Sequence, residues 1–123
     1  MTTDTAEREP GGSVRTALAN AMVATMKEYY GKGPTGAKAW ILDNYVFIVM
    51  EGGLTRNEET LIADGKEEIV RAYRLAFQES VRDRTMGAVA NIVGREVLDY
   101  HSQVVFHPAR SFEIFVLGPR VSS

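Results

Sequence analysis

Ala37 to Leu42 and Tyr45 to Met50 read as two strands joined by Asp43-Asn44, and neither strand has a polar side. Side chains alternate along a strand. Trp40, Leu42, Tyr45, Phe47 and Val49 therefore share one face of the hairpin, and Ala39, Ile41, Val46, Ile48 and Met50 share the other. Asp and Asn tolerate the positive φ of a tight hairpin turn, although the more usual Asn-Gly is absent. An antiparallel hairpin in a small domain ordinarily sets apolar residues inward and polar residues outward. Here both faces ask for cover, from helices on two sides or from a second subunit. The chain has few helices to spend, so the expectation is a homodimer, with Trp40, Tyr45 and Phe47 in the partner interface.

The remaining segments are helical or alternate. Residues 1–12 end in Pro10-Gly11-Gly12 and read as a disordered leader. Ser13 stands as an N-cap before Val14, Leu18, Met22, Met26 and Tyr29/Tyr30, whose steps of three and four describe an amphipathic helix stopped by Gly31. After Gly52-Gly53, Thr55-x-x-Glu58 is a capping-box signature for a short helix to Ala63, ended by Asp64-Gly65. Ile69, Tyr73, Phe77, Val81, Val89 and Ile92 then predict one long helix over 66–93. Such a helix approaches about 40 Å, slightly more than the diameter of a domain of this size. Gly94-Arg95 stops it. A second hairpin follows, Val97 to Phe106 and Ser111 to Leu117, in which Phe112, Ile114 and Val116 oppose Ser111 and Glu113, while Asp99, His101 and Gln103 share a face. The expected fold is α+β: two αββ units forming an antiparallel sheet from two hairpins, in a single domain over 13–118 with a tail at 119–123.

Composition narrows the chemistry. The 123 residues include no cysteine, which excludes disulfides, thiolate metal sites and cysteine nucleophiles. A net charge of −2 argues against a body built wholly to clamp nucleic acid or an anionic membrane. The apolar run Ala39 to Met50 carries Asp43-Asn44 and falls short of the roughly 20 residues of a spanning helix, so a soluble cytoplasmic protein without membrane insertion is expected. Asp99-x-His101 has a metal-compatible spacing, but His107 lies about 20 Å along the strand, too far to join it. Gly31-Lys32-Gly33-Pro34 follows a helix and precedes a strand, the reverse of a phosphate loop. Ser80, Ser102, Ser111 and Thr55 stand in no nucleophile motif, so no catalytic residue, cofactor or metal is assigned. Arg71 and Arg74 lie side by side on the long helix and join the candidate partner interface. The same pair carries the alternative function, a small regulatory protein binding nucleic acid through that helix.

Several ordered motifs resemble a bacterial family first catalogued as a domain of unknown function. They are Gly31-x-Gly33-Pro34, the hairpin around Asp43, Leu54-Thr55-x-x-Glu58-x-x-Leu61, Arg71 and Arg74 leading to Phe77, Gly94-Arg95-x-Val97 and Phe115-x-Leu117. Its members are described as MpsC-like, the C component of a Na+-translocating, membrane-potential-generating system. The resemblance covers about residues 14–118. It implies a small non-enzymatic accessory module beside the membrane components of an ion or bicarbonate transport system, peripheral to the inner face of the membrane.

Overall fold

The structure, a computed structural model, describes residues 10–120; residues 1–9 of the leader expected over 1–12 and residues 121–123 of the tail expected over 119–123 lie outside it. Its elements run α1 (Pro10–Tyr30), β1 (Gly36–Leu42), β2 (Tyr45–Glu51), α2 (Arg56–Ala63), α3 (Glu67–Ser80), α4 (Arg82–Val93), β3 (Val97–Val105) and β4 (Arg110–Leu117). The fold is α+β. The two hairpins join through β2 and β4 into one antiparallel four-stranded sheet, in the order β1-β2-β4-β3.

The first hairpin has the expected register, with Leu42 opposite Tyr45 and Trp40 opposite Phe47. Asp43 takes φ 55 at the first turn position, as the primed hairpin turns require. The capping box forms in full: Thr55 accepts from the Glu58 backbone N–H, and the Glu58 carboxylate accepts from the Thr55 N–H at 2.8 Å. Gly31 and Gly94 end α1 and α4 in left-handed conformations, at φ 76 and 71.

Two expectations change. Helix α1 begins at Pro10, three residues before the Ser13 expected as its cap. Proline suits a first helical turn, because the N–H it lacks would have no partner there. The single helix over 66–93 is instead two, α3 and α4, separated at Val81 (φ −106, ψ 14). The Ser80 and Thr85 hydroxyls bond the Ala76 and Val81 carbonyls, local competition of the kind that bends helices. The break lets α3 bury Val70, Arg74 and Gln78 while α4 turns Thr85 and Val89 toward the core. No helix of the described residues is long and apolar enough to cross a membrane.

The core lies on one side of the sheet. Leu18, Met22 and Met26 of α1, four residues apart, pack with Val89 of α4 against Ala39, Val46, Ile48, Met50, Tyr100, Phe115 and Leu117. Tyr100 and Phe115, directly opposite in β3 and β4, stack with centroids 4.5 Å apart. Arg95 pins the far end: its guanidinium donates to the Gly118 and Asp43 carbonyls and to Asn44 Oδ1, the last at 2.6 Å. Phe115→Ala should therefore destabilise the protein by about 3–5 kcal/mol in urea unfolding. Leu42→Ser, on the opposite face, should change the stability of the dilute chain by only about 0.5 kcal/mol or less.

Candidate interaction face

Among the described residues, no helix lies over the other side of the sheet. Trp40 is 42% exposed, Leu42 58% and Tyr45 44%. Phe47 and Val49 of β2 and Phe112, Ile114 and Val116 of β4 are only half-buried. The register makes these one patch: Tyr45 lies opposite Val116, Phe47 opposite Ile114 and Val49 opposite Phe112. The Tyr45 and Phe47 rings lie 6.3 Å apart. Asp99, His101 and Gln103 of β3 continue the same face opposite Val116, Ile114 and Phe112, and give it a polar margin.

Trp40, Tyr45 and Phe47 are thus brought together, as the two-residue turn and strand period require. Arg71 and Arg74 are not with them. Both sit on α3, on the covered side. Arg74 is 7% exposed. It donates from Nε and Nη2 to the two Glu58 carboxylate oxygens, each at 2.6 Å, and from Nη2 to the Gly53 carbonyl at 3.2 Å. Its guanidinium lies 4.0 Å from the Tyr30 ring centroid. Arg71 pairs with Glu68, donates to the Val104 carbonyl and lies over the Phe106 ring. The two arginines are committed to protein partners.

Arg74 and Glu58 form the polar pin on that side. Glu58 serves twice, capping α2 and chelating Arg74. Burial works to raise its pKa, but hydrogen bonds from Arg74 and Thr55 hold it below the usual carboxylate range. Gly53 completes the pin. It has φ 84, and a Cβ there would stand 3.1 Å from the Pro34 Cα, so glycine alone brings this carbonyl to Arg74. The capping-box motif signalled Glu58, but nothing in the sequence spacing signalled that Arg74 would meet it from the next helix.

Glu113 is the second polar group that the sequence leaves unmarked. The alternation set Ser111 and Glu113 against Phe112, Ile114 and Val116. The structure turns the Glu113 side inward, because pairing with β2 puts Phe115 opposite Val46 and Glu113 opposite Ile48. Glu113 has no exposed surface. Its carboxyl contacts the Tyr100 hydroxyl and accepts from Ser102 Oγ at 3.0 Å. Burial pushes its pKa up, and the hydroxyls of Tyr100, Ser102 and Ser111 pull it back only in part. Burial and the neighbouring Glu113 together raise the Tyr100 phenol. Tyr30, whose buried hydroxyl has no hydrogen-bond partner among the described residues, is pushed by burial up to about 12.

The histidines stay at the surface. His101 Nε2 lies 3.0 Å from Asp99 Oδ2, and His107 Nε2 lies 3.2 Å from Glu67 Oε1. Among the described residues, no three His, Cys, Asp or Glu side chains gather to hold a metal.

Two outcomes follow for the buried carboxyls. Arg74→Leu leaves Glu58 buried without its cation and should cost about 3–5 kcal/mol, whereas Glu58→Gln with Arg74→Leu should recover much of that, as measured by urea unfolding. Glu113 has a raised folded pKa, so its contribution to stability is complete below the ordinary carboxylate range and declines as pH rises through that range toward its folded value. Glu113→Gln should remove this decline, seen as a flatter midpoint profile as pH rises above the ordinary carboxylate range. Glu58 acts in the opposite sense, losing its contribution as pH falls.

No curated protein and no solved structure matches the chain. The family model described as the Na+-translocating membrane potential-generating system component MpsC matches residues 11–118, and the chain belongs to that family.

Proposed function

We propose that the chain is a non-catalytic interaction module, a homodimer that serves as a peripheral cytoplasmic component of a membrane ion-transport system. The observation that carries this reading is the open sheet face around Trp40, Tyr45 and Phe47. Across β1, β2 and β4 it measures roughly 14 Å by 23 Å in plan. That is the size of the largest apolar patch on an ordinary soluble monomer, about 300–600 Å², which is often a functional surface. Aromatic residues gathered at the centre with a polar margin are the arrangement of an interface rather than of a catalytic cleft. The membership in the MpsC family supports a place beside a Na+ system. A chain whose described helices are all unsuited to crossing a membrane fits an accessory position there.

Light scattering after size exclusion should give twice the mass of the chain. Lys38→Glu combined with Trp40→Glu, two exposed positions of β1, should return it to the single-chain mass with an unchanged far-ultraviolet spectrum. A wild-type protein that stays at single-chain mass over all accessible concentrations contradicts the dimer. Purification from cells after mild cross-linking should recover a named transport component, and its consistent absence contradicts the peripheral role.

A further inference from the structure

The two edges of the sheet are treated differently. Gly52 donates to the Ala109 carbonyl and Leu117 to that of Asn44. The even-numbered residues of β2 thus face β4, and its odd-numbered residues face β1. By the same alternation Tyr100, Ser102 and Val104 aim their backbone groups out of the β3 edge, and Ala37, Ala39 and Ile41 aim theirs out of the β1 edge.

The β3 edge is blocked at Tyr100 and Val104. Arg82 donates to the Tyr100 carbonyl at 2.6 Å, Arg71 to the Val104 carbonyl at 3.3 Å, and the Tyr100 N–H is taken by Asp99 Oδ1 at 2.9 Å. Arginines over outward carbonyls and a Leu98 bulge are the devices by which natural sheets blunt an edge. Along β1, among the described residues, no hydrogen bond reaches the outward groups of Ala37, Ala39 or Ile41. A long unguarded edge beside an exposed apolar face is a template for another strand.

We propose that two copies of the chain join along β1, antiparallel about a twofold axis at Ala39, into one continuous sheet. This rests on the reading that the chain self-associates, and it specifies the seam. The axis pairs Ala39 with Ala39 of the other copy and Ala37 with its Ile41, each bonded pair exchanging two backbone hydrogen bonds. It also sets Lys38 opposite the other copy's Trp40, at the closer, non-hydrogen-bonded spacing of about 4.5 Å between Cα atoms. A lysine on an edge strand ordinarily deters pairing. Here the twofold places each ammonium beside an exposed indole on the same open face, a cation–π contact made twice. On the covered side, Gly12, Arg15, Thr16, Ala19 and Asn20 of α1 line the groove along Ala37–Trp40. The apolar face then runs unbroken across both copies.

The chain has no cysteine, so an introduced one reports a single position. An equimolar mixture of the Lys38→Cys and Trp40→Cys variants, oxidised gently, should give a mixed disulfide dimer. Each mixed pair keeps one Lys38–Trp40 contact. Either variant alone should give about fivefold less cross-linked dimer, because like positions then lie diagonally and beyond disulfide reach. Amide exchange on the unmodified protein should show Ala37, Ala39 and Ile41 protected in the dimer and exposed on dilution. If the wild type is dimeric but Phe47→Cys cross-links to itself while the mixture does not, the copies stack face to face. The seam is then overturned, and self-association stands. A wild type of single-chain mass overturns both.

Discussion

The structure depends on a sheet covered from one side. Once β1 and β2 pair across a two-residue turn, the strand period commits Ala39, Val46, Ile48 and Met50 to the helices and Trp40, Phe47 and Val49 to the opposite surface. A register slip of one residue would exchange the two sets. Both are apolar, so hydrophobicity alone does not choose between them. The choice is made by size and by what the helices present. Small Ala39 and branched Val46 and Ile48 accept Leu18, Met22 and Met26 closely, whereas the larger rings of Trp40, Tyr45 and Phe47 are left outside.

Arginines hold the covered side in place. Arg74 locks α3 to the capped start of α2 and to the Gly53 carbonyl. Arg82 fastens the start of α4 to β3, and Arg95 ties the end of α4 to the first hairpin turn and to Gly118. Each guanidinium reaches a backbone carbonyl, so each fixes the course of the chain as well as pairing charge. This use of arginine explains why helices with several basic residues offer no free basic patch at Arg71 and Arg74. It also explains how the β3 edge comes to be blocked at Tyr100 and Val104.

Much of this was legible in the sequence where the signal is local. Thr55 and Glu58 announce α2 by a fixed three-residue spacing, Gly31 and Gly94 announce helix ends by their freedom at positive φ, and Asp43-Asn44 sets the hairpin register. What the sequence hid is non-local. The break at Val81 interrupts a periodic apolar stripe that continues on both sides of it, so periodicity alone draws one helix. Arg74 and Glu58 are far apart in sequence and meet only because α2 and α3 fold back on each other. Glu113 looks like an ordinary exposed strand carboxylate. It is buried because Phe115 and Leu117, on the same side of β4, are needed in the core, and Tyr100 and Ser102 across the ladder supply its hydrogen bonds. The open face was foreseeable from the two-sided hairpin alone; the asymmetry of the edges was not, since it depends on where α3 and α4 place Arg71 and Arg82.

The single tryptophan of the chain is Trp40, and it stands on β1 at the border of the open face, where a second copy joined along that edge would lie against it. Its fluorescence emission, followed as the protein is concentrated from dilute solution, reads that face directly. Emission should be that of a solvated indole in the dilute chain and should move to shorter wavelength as association withdraws Trp40 from water, in step with the rise in mass measured by light scattering. Emission that stays at the solvated position while the mass doubles would contradict joining along β1, as would a mass that never rises.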